Sequence, residues 1–138
     1  MGQPTNKVEL EALVRGVGIP VWVADPYRVE DTVRTVVELL RRPGPKVLIL
    51  RRACALVAAK KRGPVRVWVD PERCRGDACG CARFCSRVFA CPANIWDEES
   101  GRARIDEAIC NGCGVCATLC PAGAIRVEGE PLMATRSV

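Results

Sequence analysis

The chain of 138 residues contains no histidine. That absence excludes Rieske-type Cys/His ligation and Cys2His2 zinc sites, and it removes the commonest general base. Aromatic side chains are scarce: Trp22, Tyr27, Trp68, Phe84, Phe89 and Trp96 make up 4% of the sequence. A small domain so short of large apolar groups often depends on a staple such as a metal. No stretch approaches the ~20 apolar residues that span a bilayer. Met1-Gly2-Gln3-Pro4 has no apolar run behind it, so no secretory signal is read. There is no P-loop and no G-x-G-x-x-G. The expectation is a cytoplasmic protein without membrane insertion and without a catalytic set of its own.

What the chain does have is cysteine, ten in all. In a reducing compartment, many cysteines at close spacing mean metal rather than disulfides. The net charge is +5, with basic runs at Arg41-Arg42, Arg51-Arg52 and Lys60-Lys61-Arg62. Such runs can steer an acidic partner. No aromatics are interleaved with them as in a nucleic-acid platform, so no nucleic acid is expected.

Residues 7–62 read as alternating helix and strand. Val8, Leu10, Leu13 and Val14 suggest a helix over Lys7–Arg15, ended by Gly16. Ile19–Ala24 is a short β-branched run, broken by Asp25-Pro26. A helix starting near Glu30 or Asp31 reaches Arg42 with Val33, Val36, Val37 and Leu40 on one face, and Pro43-Gly44-Pro45 stops it. Lys46–Leu50 is a second apolar strand, and Ala53–Lys61 a short helix leading out. Strand–helix–strand with continuous apolar strands implies a parallel sheet buried on both faces. Two strands and two helices cannot cover such a sheet, so residues 1–64 read as a partial α/β segment that must dock onto more protein. Gly63-Pro64 marks its end.

Residues 65–130 carry an internal repeat. Asp70-Pro71-Glu72-Arg73-Cys74 echoes Asp106-Glu107-Ala108-Ile109-Cys110, and Cys91-Pro92-Ala93-Asn94-Ile95 echoes Cys120-Pro121-Ala122-Gly123-Ala124-Ile125. Strand-like runs flank both blocks (residues 65–69, 95–96, 102–105 and 125–127). Asp70 and Asp106 are expected to turn the chain before each loop. The tail from Pro131 to residue 138 is expected to fray.

The second block, Cys110-x2-Cys113-x2-Cys116-x3-Cys120-Pro121, is the run of bacterial ferredoxins, whose fourth cysteine ligates the other [4Fe–4S] cluster. Three thiolates at three-residue spacing wrap one face of a cube, and Gly112 and Gly114 let the backbone pass close with its N–H groups toward sulfur. The first block departs from this: Cys74-x4-Cys79-x-Cys81-x3-Cys85-x5-Cys91-Pro92. Two clusters need eight thiolates and the blocks hold nine. Adjacent C-x-C ligation of one cube is cramped, so either Cys79 or Cys81 stands aside. The expected sets are Cys74, Cys81 (or Cys79), Cys85 and Cys120 for cluster I, and Cys91, Cys110, Cys113 and Cys116 for cluster II, with Cys81 favoured by spacing. Cys54 lies outside both blocks and reads as a buried structural thiol. The fold class is thus α+β: a partial α/β segment followed by a two-cluster ferredoxin-like domain.

The segment Val21-Trp22-Val23-Ala24-Asp25-Pro26-Tyr27, then a helix, then Val47-Leu48-Ile49-Leu50-Arg51-Arg52-Ala53-Cys54-Ala55-Leu56, resembles the end of the thiamine-diphosphate domain in the large subunit of indolepyruvate:ferredoxin oxidoreductases. In that family it runs directly into a two-cluster ferredoxin domain. The resemblance covers roughly residues 8–128. It implies an iron–sulfur electron-transfer subunit of a 2-oxoacid:ferredoxin oxidoreductase, with ferredoxin as acceptor. The Gly-Asp-Gly…Asn motif for magnesium and diphosphate is missing here, so thiamine diphosphate and Mg belong to a partner catalytic chain. A separate small subunit is expected rather than a fragment, from Met1 and the polar residues after it. The alternative is a ferredoxin-like carrier or electron-input subunit of another redox complex. A zinc-bound interaction module is a third reading.

Overall fold

The computed structural model describes residues 6–61 and 63–134. Helices and strands alternate along the chain, an α+β content. Two compact units divide between Arg52 and Ala53, ahead of the Gly63-Pro64 punctuation.

The first unit holds α1 (Leu10–Gly16), β1 (Val21–Ala24), α2 (Val29–Leu40) and β2 (Val47–Leu50). β1 and β2 pair in parallel, Val21 opposite Val47 through Ala24 opposite Leu50. A parallel pair needs a crossover, and α2 supplies it. α1 includes Gly16 rather than ending before it. α2 starts slightly earlier than its acidic residues suggest, with no side-chain cap. The apolar face expected to be buried is not: Val33 is 54% exposed and Leu40 77%, and only Leu39 is buried. Val23 and Leu50 on the strands are also half exposed.

One ion pair ties this unit together. Arg52 meets Asp25 at 2.5 Å with both side chains over nine-tenths buried. The guanidinium also lies 4.7 Å from the centroid of Tyr27, and Tyr27 N–H donates to Asp25 Oδ1 at 3.0 Å. Arg51 pairs with Glu11 on α1 at 2.6 Å. Arg42 pairs with Glu38 at 2.6 Å and lies over Trp22. Three of the basic-run arginines are therefore engaged within the unit; Lys60 and Lys61 are exposed, and Arg62 lies outside the described residues.

The second unit holds α3 (Ala55–Ala59), β3 (Arg66–Val69), α4 (Phe84–Arg87), β4 (Asn94–Asp97), β5 (Arg102–Ile105), α5 (Val115–Leu119) and β6 (Ile125–Glu128). β3 pairs antiparallel with β6, and β4 with β5. The sequence repeat recurs as geometry. Asp70 N–H donates to Ala124 O at 2.8 Å, and Asp106 N–H to Ala93 O at 2.7 Å. Asp70 Oδ1 accepts from Glu72 N–H and Asp106 Oδ1 from Ala108 N–H, each at 3.0 Å. Both aspartates thus turn the chain ahead of their cysteine loops. Val67, Ile105, Cys116 and Ile125 form the buried core between the two strand pairs.

The tail does not fray at its start. Leu132 is 4% exposed, and Met133 N–H donates to Cys113 O at 3.0 Å. Residues 135–138 lie outside the described residues.

Candidate metal centre

Each half of the second unit presents its thiols on a loop that ends in a short helix. In the second half, Gly114 precedes α5 with φ +81°, and a Cβ there would lie 2.5 Å from Pro131 Cβ. Only glycine allows the Cys113 and Cys116 loop to pass so close to the tail. In the first half the matching position before α4 is Arg83, at φ 56°, beside Ala82 at φ 50°. Consecutive non-glycine residues in this region are strained. Arg83 is held there by two bonds to Asp77, at 2.7 and 2.6 Å, and by stacking 4.0 Å over the ring of Trp96.

The thiols fall into two groups. Cys74, Cys79, Cys81, Cys85 and Cys120 line one narrow pocket, together with Val69, Trp96, Ala122, Ala124 and Ile125. Burial pushes the Cys85 thiol up, and Cys81 and Cys120 beside it push in the same direction. Cys116, the most buried thiol, is pushed up to about 12, first by burial and then by neighbouring Cys113, Cys110 and Cys91. Cys120 therefore reaches back to the first block and Cys91 forward to the second. Cys79 and Cys81 both stand on the first pocket, and it is Cys81 that bears on Cys85.

This donor set fits an iron–sulfur cluster. It is all thiol, the ligand class such clusters select. Among the described residues, no three Cys, Asp or Glu side chains close on one point as ligands of a single ion do; the thiols stand around a space. Backbone N–H groups already point at sulfur: Gly112 N–H to Cys110 Sγ and Ala124 N–H to Cys120 Sγ, each at 3.3 Å. Ligation to iron would take the proton from each thiol. Asn94 Nδ2 and Oδ1 and Trp96 Nε1 are buried without partners among the described residues. No sequence rule singles these out.

Cys54 departs from expectation. It is exposed, at the start of α3, and lines neither thiol group. A cysteine just after an apolar strand reads as buried, but the chain leaves the sheet at Arg51 and carries this one out.

The 4Fe–4S binding domain family matches residues 103–126. The matched stretch contains Cys110, Cys113, Cys116 and Cys120 and supports 4Fe–4S cluster binding in the second unit. The chain is 36% identical to the indolepyruvate oxidoreductase subunit IorA of Pyrococcus horikoshii over 92% of its length. It is 36% identical to IorA of Methanothermobacter marburgensis over 94%, and 35% identical to IorA of Archaeoglobus fulgidus over 91%. The chain spans about a fifth of each of these relatives, 20%. No helix among the described residues is long and apolar enough to cross a membrane.

Proposed function

We propose that this chain is the iron–sulfur electron-transfer part of a 2-oxoacid:ferredoxin oxidoreductase of the indolepyruvate type, carrying two [4Fe–4S] clusters. The observation that carries this reading is the continuity of the similarity to IorA proteins: it runs through 92% of the chain, so through the α/β unit as well as the cysteine unit. A carrier ferredoxin has no use for the first unit. The exposed Val33, Val36, Val37 and Leu40 of α2 support a place for it against more protein, because contiguous apolar patches of this kind mark interfaces. The occupant is the remainder of a thiamine-diphosphate domain, which would also hold Mg. Residues 1–64 complete that domain, residues 65–130 form the cluster domain and residues 131–138 the tail.

Cys74, Cys81, Cys85 and Cys120 hold cluster I; Cys91, Cys110, Cys113 and Cys116 hold cluster II. The grouping of Cys85 with Cys81 and Cys120, and of Cys116 with Cys91, Cys110 and Cys113, supports these sets. When bound, the clusters supply one-electron redox chemistry at low potential. The chain's own groups fix the thiolates, keep water out with Val69, Ala122, Ala124 and Ile125, and direct backbone N–H groups at sulfur. The carbon chemistry belongs to the partner chain, and ferredoxin is the acceptor.

The test is made on the native complex. Anaerobic addition of indolepyruvate with coenzyme A is expected to bleach the iron–sulfur absorption and raise an EPR signal of reduced clusters. A native complex that contains no thiamine diphosphate would contradict the proposal. It would favour the second reading, an electron-input subunit of another redox complex. The chain's 35% identity over 52% of its length to a tetrathionate reductase subunit of Archaeoglobus fulgidus speaks for that alternative.

A further inference from the structure

Asn94 is buried at 3% exposure, without the ion-pair partner that the buried Arg52 and Asp25 side chains give each other. Neither its Nδ2 nor its Oδ1 has a partner among the described residues. Buried carboxamides are normally bonded, and one left bare is costly. Its place in the repeat shows what packing alone would choose. Asn94 pairs with Ile105 on β5, directly before Asp106; Ile125 pairs with Val69 on β3, directly before Asp70. Asn94 therefore occupies in the first half the position of Ile125 in the second. Ile125 lines the pocket of Cys74, Cys81, Cys85 and Cys120.

The counterpart faces the other thiol group. Asn94 N–H donates to Cys91 O at 2.9 Å. Directly paired residues on antiparallel strands share a face, so the Asn94 side chain lies on the face of Ile105. Ile105 packs in the core with Cys116, and Cys116 stands among Cys91, Cys110 and Cys113. An isoleucine on one side and a bare carboxamide on the other is a difference that packing does not ask for. Sulfur, as thiolate or bridging sulfide, accepts hydrogen bonds and donates none, so it answers to Nδ2.

We propose that the Asn94 side-chain N–H donates a hydrogen bond to a sulfur of cluster II, for which Ile125 offers no equivalent at cluster I. The inference rests on the two-cluster reading above. A donor to sulfur favours the more negative, reduced state and so raises the potential.

The test is an EPR-monitored redox titration of the anaerobic protein and its Asn94→Leu and Asn94→Thr variants, with iron and sulfide measured first on each. A parent protein with fewer than about eight of each overturns the two-cluster reading and this inference with it. With both clusters present, Asn94→Leu is expected to keep its iron and to move one potential negative while the other stays. Asn94→Thr, which restores a donor, is expected to recover part of the shift; a pure packing role would not produce that rescue. Unchanged potentials in loaded Asn94→Leu, or equal shifts of both, overturn the inference. If Asn94→Leu fails to load, pulsed EPR of the reduced parent with 15N-labelled asparagine side chains decides. A weak nitrogen coupling that vanishes in Asn94→Thr supports the bond, and absence of that coupling overturns it.

Discussion

On the proposed two-cluster reading, Cys79 and Cys81 compete for one place on cluster I. Both line the same pocket, yet Cys81 is the one that bears on Cys85. Cys81→Ala should reduce iron and sulfide from about eight to about four per chain, while Cys79→Ala should retain about eight. Metal analysis of the two purified variants checks this; the reverse pattern would reassign the ligand. Gly114 makes a second demand at this scale. Gly114→Ala places a Cβ 2.5 Å from Pro131 at a φ of +81°. The conformation alone costs about 1–2 kcal/mol. The variant should unfold at lower denaturant and lose cluster II first.

Among the elements, the pair of Arg52 and Asp25 closes the first unit, joining the end of β1 to the end of β2. Removing one member leaves the other buried and unpaired, at a cost of about 3–5 kcal/mol. Arg52→Ala should therefore unfold the first unit in thermal melts while leaving the iron content of the second unchanged. Glu11 gives a pH signature for α1. Its hydrogen bond from Arg51 holds its carboxyl below the usual range. A lowered carboxyl contributes stability above its unfolded pKa, and that contribution is lost as pH falls through the folded value. Glu11→Gln should thus melt below the parent at neutral pH, with the difference closing in acid.

The order of these elements was legible in the sequence because apolar periodicity and Pro/Gly punctuation are local signals. Val21–Ala24 and Val47–Leu50 lie inside the expected strands, and Arg102–Ile105 coincides with its expected run. What was not legible depends on tertiary surroundings. The exposure of Cys54, the burial of Leu132 and the bare amide of Asn94 each follow from which segment packs where. The thiols announced themselves by spacing; Asn94 reads in sequence as one more turn residue after Cys91-Pro92.

On the scale of the whole molecule, the first unit exposes the apolar face of α2 and the second gathers the thiols of its two cysteine blocks. That contrast suits a chain whose one part is completed by other protein while the other holds redox centres out of water. Basic residues of the second unit, Arg75 and Arg87 among them, are exposed. If they guide an acidic ferredoxin, the rate of its reduction by the native complex should fall as salt rises past about 0.1 M, where screening lengths shrink to about 10 Å. A rate indifferent to salt would dismiss the steering. The most direct test of the central claim is iron and acid-labile sulfide per chain on anaerobically purified protein. About eight of each is the expected result; zinc without sulfide would contradict the electron-transfer reading altogether.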